Sequence, residues 1–201
     1  MSQDKSAIEI IREFARKTGR EAIFTEKPYP STAMQRIVYH RRTIYLEGIN
    51  NKAICFASFA DSREFGKYAL FSGIFMPVEL PLSTTISIRN KDILDKLNPF
   101  NKKKMPSSGI PSYDAKTVIS GNDPLSVKKI FQERRFQRLV DQSLPLAPGI
   151  VIAVNEANIG FIPEFKGKSH LGIFITREWI TDTSMIEGLF NIAGQFTSYP
   201  Q

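Results

Sequence analysis

Residues 68–82, YALFSGIFMPVELPL, place the strongest constraint on the fold of this 201-residue chain. The run is almost wholly apolar, but it is shorter than the roughly 20 residues that a helix needs to cross a bilayer. As a strand, it would carry apolar side chains on both faces. Phe71, Gly73 and Phe75 share one face, and Leu70, Ser72, Ile74 and Met76 share the other. We therefore predict a central strand that is covered on both faces, or covered on one face and used for contact on the other.

Two residues interrupt the pattern of this strand. Gly73 has no side chain to pack, which indicates either a bulge or the close approach of another backbone. Pro77 lacks the amide hydrogen that a strand ladder needs, so we expect strand pairing to end there.

The rest of the chain predicts an α+β fold with a mainly antiparallel sheet, because strands and helices do not alternate as βαβ units. Apolar residues at three- and four-residue spacing predict amphipathic helices at the N-terminus, in the centre and at the C-terminus. These helices span residues 5–18, 124–140 and 184–196, and the central one is either continuous or broken near Gln132. The length fits a single domain over residues 1–201.

Two helix starts carry capping signals. Asp123 followed by Pro124 is typical of an N-cap and the first helical position. Ser184 with Glu187 resembles a capping box ahead of the C-terminal helix.

Strand composition recurs along the chain. Short β-rich runs occupy residues 21–26, 36–40, 43–48, 52–59 and 84–90, with the two arginines at 41–42 and the GINN turn at 48–51 as separators. Residues 150–162 read as a hairpin that turns at 155–158, and 171–176 read as an edge strand.

The segment 98–114 combines prolines, serines, a glycine and three consecutive lysines, which predicts a flexible loop. Composition on either side of it does not indicate a second core. The loop is therefore expected to be an excursion from a single domain.

The single cysteine, Cys55, excludes an intramolecular disulfide, and the sequence opens without a basic-then-apolar leader. Together these features predict a cytoplasmic, reducing location, with association through membrane partners left open. Cys55 lies in the apolar run KAICFASF, so we interpret it as a small buried hydrophobe rather than a nucleophile.

Chemistry-bearing residues are few. Two distant histidines and one cysteine give no zinc spacing, so the sequence predicts no metal site, and it shows no cofactor motif. His40 is expected at a strand end and His170 in a loop. An enzyme whose site assembles from dispersed carboxylates and these histidines remains an alternative, because catalytic groups can come together in space.

A net charge of +7 is the one positive signal for a partner class. One cluster comprises Lys102, Lys103 and Lys104, and another lies along the central helix and comprises Lys128, Lys129, Arg134, Arg135 and Arg138. Such clusters can bind nucleic acid or another anionic surface, with salt-sensitive affinity. The simpler interpretation is a solvated basic helix face, since no nucleic-acid-binding motif accompanies them.

The order of several motifs resembles a family of uncharacterised bacterial domains, often found downstream of membrane segments. In that pattern an F-x-G strand precedes a strand–Asp-Pro–helix unit, and a hairpin closes the module. The matching positions, within residues 50–165, are Phe71, Gly73, Phe75, Asp123, Phe136 and Leu139. The resemblance implies a bacterial domain of unknown function and no site residues to transfer. This chain departs from the pattern in its lysine- and proline-rich 98–114 loop and in having no apolar run of membrane-spanning length.

Taken together, these features favour a non-catalytic binding or interaction module over an enzyme. Its partner is expected to be another protein or peptide, met through a sheet edge or an aromatic groove. A binder of nucleic acid or anionic surfaces is the first alternative, and an enzyme is the second. The sequence carries no signal for the oligomeric state.

Overall fold

The computed structural model describes residues 2–30, 38–93, 95 and 106–198, and side-chain burial from residue 6 onward. Within these residues, eight strands form one sheet in which every pair of neighbours is antiparallel. The strands are β1 (Ala22–Pro28), β2 (His40–Glu47), β3 (Cys55–Asp61), β4 (Leu70–Pro77), β5 (Ile86–Asn90), β6 (Thr117–Gly121), β7 (Val151–Val154) and β8 (His170–Thr176). Their order across the sheet is β1-β2-β3-β4-β8-β7-β5-β6.

In the described part of the chain, α-helices precede β1, lie in the β5–β6 and β6–β7 connections, and follow β8. The described α-helices are α1 (Ser2–Thr18), α2 (Pro111–Lys116), α3 (Pro124–Gln132), α4 (Arg134–Ser143) and α5 (Thr183–Ser198), and a short 3₁₀ turn spans Pro163–Phe165. The predicted α+β fold with a mainly antiparallel sheet is confirmed.

One face of the sheet, which we call the helical face, packs against α1, α3, α4 and α5. Its sheet residues are mostly aliphatic, such as Ile74, Ile152 and Ile173, and each of these three side chains is fully buried. The helices contribute Ile11 and Leu189, among others, to the same cluster. Branched side chains under helices of this kind supply the main apolar core.

The opposite face, which we call the aromatic face, is built from phenylalanine rings. Phe59, Phe71, Phe75 and Phe174 form a contiguous group with ring centroids 5.2–5.9 Å apart. Residues 155–169, which we call the cover segment, close this face with Ala157, Ile159, Ile162 and Phe165. This segment contains no α-helix, so its packing rests on side chains rather than on a regular element.

Strand β4 lies at the centre of both clusters, as its pattern predicted. Phe71 and Phe75 point into the aromatic face, while Ile74 and Met76 point into the helical face. The alternative of a face left open for contact is wrong for β4, since residues 71–76 are all buried.

Gly73 marks a close approach of backbone rather than a bulge. It pairs with Phe174 in unbroken register, and a Cβ at Gly73 would lie 2.2 Å from the carbonyl oxygen of Ile173. Gly172 stands opposite Phe75, and a Cβ there would lie 2.5 Å from that ring. The two glycines thus make room for the stacked pair of Phe75 and Phe174.

Polar contacts hold the cover segment at both its start and its end. The Tyr68 hydroxyl donates to Glu156, and Lys67 Nζ lies 3.5 Å from the same carboxylate. Burial raises the pKa of Glu156. At the start of β8, His170 Nε2 donates to the carbonyl of Ala157 at 3.0 Å. These contacts fix a segment that forms no strand ladder with the sheet.

The prediction of 171–176 as an edge strand is wrong, because β8 lies between β4 and β7. The predicted hairpin of 150–162 is also wrong, since β7 pairs with β8 and with β5. Residues 159–162 fold over the sheet instead, because burying Ile159 and Ile162 against the aromatic rings outweighs their strand propensity.

The prediction that Arg41 and Arg42 separate two strands is wrong. Both residues lie within β2 and pair with β1 on one side and β3 on the other. Residues 31–37, where a separate strand was expected to start, lie outside the described residues. The turn predicted at GINN is confirmed, since Gly48 N donates to Ile54 O at 2.8 Å across it.

One helix start was predicted correctly and one was not. Asp123 caps α3 by accepting from Leu125 N, with Pro124 in the first turn. At α5 the cap is Asp182, which accepts from Ser184 N at 2.9 Å. Glu187 instead pairs with the buried Arg20 at 3.0 Å, so the predicted capping box does not form.

The segment 98–114 is only partly described. Residues 96–105 lie outside the described part of the chain. The flexible loop does not extend to residue 114, because Pro111–Lys116 is helix α2. Asp114 of this helix accepts from Ser108 N at 2.9 Å and from Ser107 Oγ at 2.6 Å. The preceding turn is therefore tied to α2.

Candidate functional site

A cleft of about 1080 Å³ opens beside the helical face, at the end of the sheet where β4 ends and β8 begins. One wall is the segment 77–84 that follows β4, and the other is formed by α3 and the start of α4. Apolar side chains line both walls: Pro77, Val78, Leu80, Leu82, Ile130 and Phe196. A cavity of this size with mixed lining is typical of ligand-binding sites.

The wall at 77–84 has a fixed backbone although it is irregular. Val78 N donates to Ser169 O at 3.1 Å, and Thr84 N donates to Pro81 O at 2.9 Å. Leu82 projects from this wall with 58% of its surface exposed. The cleft therefore presents an accessible apolar side chain on an ordered support.

Asn155 holds this wall against the sheet. Its φ of +54° lies in the left-handed region, which asparagine tolerates better than most residues. The side-chain Nδ2 donates to the carbonyl of Thr84 at 2.9 Å and to that of Pro81 at 3.2 Å. Its Oδ1 accepts from His170 N at 2.9 Å. One amide side chain thus joins the cleft wall to the start of β8.

The opposite wall depends on the break between α3 and α4. Glu133 adopts extended dihedrals (φ −78°, ψ 116°), so the central helix is two helices, as the sequence allowed near Gln132. The change of direction brings Arg135 to the cleft. Its Nε lies 2.7 Å from Glu133, and its guanidinium lies 5.2 Å from the centroid of the Phe196 ring.

A second cavity of about 280 Å³ adjoins the cleft between α4 and α5. Arg135 and Phe196 line both cavities, which makes them neighbouring parts of one depression. The smaller part also contains Arg138, Gln142 and Gln195.

Cations reach this depression from several elements. Lys129 comes from α3, Arg135 and Arg138 from α4, and Lys168 from the turn before β8. The acids among the lining residues are Glu79 and Glu133, and the second of these is paired with Arg135. The described lining carries a formal excess of positive charge on top of its apolar walls.

The structure separates the basic residues predicted from the sequence. Lys129, Arg135 and Arg138 line the depression. Lys128 and Arg134 are exposed and do not line it. The other predicted cluster, Lys102, Lys103 and Lys104, lies outside the described residues. Each helix therefore contributes one face to the depression and leaves another face in solvent, so adjacent basic residues such as Lys128 and Lys129 have different surroundings.

Neither histidine lies in the cleft. His40 begins β2, as expected, and its Nδ1 lies 3.2 Å from Glu26. His170 is buried between the rings of Phe75 and Phe165 rather than in a loop. Burial lowers the pKa of His170, although hydrogen bonds to the backbone oppose the shift.

Cys55 is fully buried on the aromatic face, as interpreted from its apolar run. Burial, with Glu164 and Glu47 nearby, raises the pKa of its thiol to about 12. At neutral pH this group is therefore a thiol rather than a nucleophilic thiolate.

Sequence reasoning missed Lys168 and Asn155. Lys168 lies in the KGKSH loop, and only the pairing of β8 with β4 brings that loop to the cleft. For Asn155 a signal existed, because asparagine in a turn is typical of positive φ. The carbonyls of Pro81 and Thr84 to which it donates, however, are more than 70 residues away in sequence.

Among the residues that the structure describes, no group of three or more histidine, cysteine, aspartate or glutamate residues could hold a metal ion. No described helix is long and apolar enough to cross a membrane.

Comparison with known proteins gives no relative for this chain. No family model, curated protein or solved structure matches it.

Proposed function

We propose that this protein is a non-catalytic binding module and that the cleft between segment 77–84 and helices α3 and α4 is its ligand site. The observation that carries the proposal is the combination of an open cavity of about 1080 Å³, apolar walls, and lysines that come from two different elements, α3 and the turn before β8. Apolar lining provides affinity, and a few placed charges provide orientation.

The polar groups in the cleft support binding rather than catalysis. The hydroxyl of Ser126 is engaged with the capping carboxylate of Asp123. The hydroxyl of Ser169 bonds to the Asn155 side chain at 3.0 Å. Neither histidine lines the cleft, and the side-chain partners of these two hydroxyls are Asp123 and Asn155, neither of which is an imidazole.

Two exposed leucines make a matched test of the site. Leu82 lines the cleft, whereas Leu125 is 76% exposed on α3 and does not line it. We expect a library of small fragments, monitored by ¹H–¹⁵N NMR, to shift amide signals of Leu80, Lys129 and Phe196. Leu82→Glu should abolish those shifts, and Leu125→Glu should leave them intact.

The proposal fails if fragments perturb no cluster of cleft signals, or if they perturb one equally in both variants. Melting temperatures of the two variants serve as the folding control, because both substitutions replace exposed side chains.

The proposal includes a reducing, cytoplasmic location, for which the support is the single unpaired and buried cysteine. Fractionation of cells that express the tagged protein tests this part, and recovery from an oxidising compartment would contradict it.

A further inference from the structure

We propose, building on the ligand site assigned above, that the cleft binds an acidic peptide segment of a partner protein with apolar side chains between its carboxylates. The proposal identifies the partner by the shape, the charge distribution and the lining of the groove.

The shape of the depression favours a chain-like occupant. Lys168 and Arg135 both line the larger cavity, and Arg135 also lines the smaller cavity together with Gln142. The joint depression therefore has lining residues in the turn before β8 and at the contact of α4 with α5. A compact ligand would fill only part of this depression.

The distribution of cations favours several negative charges over one. Arg135 and Arg138 are three residues apart on α4, which corresponds to about 4.5 Å along its axis. Lys129 on α3 and Lys168 in the turn before β8 both line the larger cavity. A fatty acid or a single phosphate carries its charge at one point and would pair with only one or two of these cations. An extended peptide can carry carboxylates on alternate residues, about 7 Å apart, and can therefore pair with several of the cations at once.

The apolar lining sets the second property of the partner. Val78, Leu80 and Leu82 lie along one wall, with Ile130 and Phe196 facing them. Because an extended chain alternates its side chains, a peptide with interleaved acidic and apolar residues can present one set to the cations and the other to these walls.

The same lining disfavours nucleic acid. Single strands bind through exposed aromatic rings on which bases stack, together with a basic groove. Phe196 is the aromatic residue among those that line the two cavities; it is 8% exposed and already lies under the Arg135 guanidinium.

The experiment selects random dodecapeptides displayed on phage against the full-length protein and then measures synthetic, fluorescently labelled versions by anisotropy. We expect enriched sequences to carry several aspartates or glutamates interleaved with apolar residues. Raising NaCl from about 0.05 M to about 0.3 M should weaken their binding severalfold, because exposed charge pairs are screened.

Charge-reversed variants locate the binding. Lys129→Glu combined with Lys168→Glu should raise the Kd of the best peptide by about tenfold. Lys27→Glu combined with Lys116→Glu changes the net charge equally at exposed positions outside the cleft, and should leave the Kd within about twofold. Circular dichroism confirms that both double variants fold.

Three results would overturn the peptide proposal: no enrichment of acidic sequences, equal weakening by both double variants, or displacement of the peptide by oligothymidine at lower concentration. If fragments still occupy the cleft in the NMR experiment, the binding module stands and only its partner class is wrong. If neither fragments nor peptides bind, both proposals fail.

Discussion

The helical face is packed with branched aliphatic side chains under four helices, whereas the aromatic face carries stacked rings under a segment without an α-helix. Helices satisfy their own backbone hydrogen bonds and can be fixed by non-directional apolar burial. An irregular cover has no such internal support, so its position depends on ring geometry and on a few polar contacts, as at Glu156 and His170.

The difference predicts unequal tolerance to substitution. Aliphatic contacts can rearrange around a changed side chain at moderate cost, since volume-conserving swaps in cores are accepted. The aromatic face has less freedom, because Phe75 and Phe174 lie across strand positions that only glycine can occupy.

The largest effect is expected at Gly73. The Cβ added by Gly73→Ala would meet backbone atoms of β8 at 2.2–2.4 Å, and neither strand can move without breaking the ladder. We expect a loss of about 3 kcal/mol or more in the free energy of unfolding, measured by urea denaturation. Gly188 of α5 is the control, because no atom lies within 4 Å of its added Cβ. Gly188→Ala should stabilise the protein by about 0.5–1 kcal/mol.

Phe174 and Ile173 are adjacent in β8 and point to opposite faces of the sheet. We expect substitutions at these two positions to lower the free energy of unfolding by different amounts, both smaller than at Gly73. Phe174→Leu removes ring contacts with Tyr68, Phe71 and Phe75, and we expect a cost of about 2 kcal/mol. Ile173→Leu on the helical face keeps the volume and should cost about 1 kcal/mol. Equal costs in urea denaturation would refute the distinction between the two faces.

The pH dependence of stability should reveal the buried imidazole under the cover segment. Burial lowers the pKa of His170 below its ordinary value near 6.5, so the unfolded chain takes up a proton at a higher pH than the folded protein does. The free energy of unfolding should therefore fall as pH drops below about 6.5, until the folded imidazole is also protonated. His170→Phe or His170→Gln should remove the part of the decrease in the free energy of unfolding that protonation of this imidazole causes.

The matched control for this titration is His40→Gln, because His40 lies at a strand start outside the aromatic cluster. Chemical denaturation of the wild type and both variants between about pH 7 and pH 5 gives the comparison. An identical slope for the wild type and His170→Gln would show that His170 does not contribute.

The smallest effect concerns reactivity rather than stability. With its pKa raised to about 12 by burial, Cys55 should react with a thiol reagent only when the aromatic face opens. We expect Ellman's reagent to label the denatured protein readily and the native protein slowly. A cysteine introduced by Ser112→Cys, at an exposed position of α2, should react at once and calibrate the assay. Rapid native labelling of Cys55 would mean that the cover segment opens frequently.

The parts of the fold that local sequence encodes were predictable. A nearly continuous apolar run identified β4, and a capping residue followed by proline identified the start of α3. The position of β8 was not predictable, because its neighbour β4 lies about 100 residues earlier and no local pattern specifies that pairing. The prediction of a strand over residues 159–162 was wrong, because these residues bury Ile159 and Ile162 against the aromatic face instead of pairing with a neighbouring strand.

The candidate site was predictable only in part for the same reason. Lys129, Arg135 and Arg138 stood out as basic residues on a helix. Their separation from Lys128 and Arg134 depends on which face of each helix is turned toward the cleft, and this follows from the packing of the two helices on the sheet. Lys168 lines the same cleft because β8 lies beside β4 in the sheet, and the sequence around Lys168 does not indicate that strand order.

Asn155 fixes the cleft wall through backbone carbonyls rather than through side chains. Val78 and Leu80 also pack against the core of the helical face, whereas Leu82 is exposed, so Leu82 is the wall residue whose side chain the frame does not use. If the cleft binds a ligand as proposed, substitutions at Leu82 alter ligand preference and leave the frame intact. In evolutionary terms, the residue that holds the wall and the residue open to selection for recognition are then different ones, and recognition can diversify while the architecture stays constant.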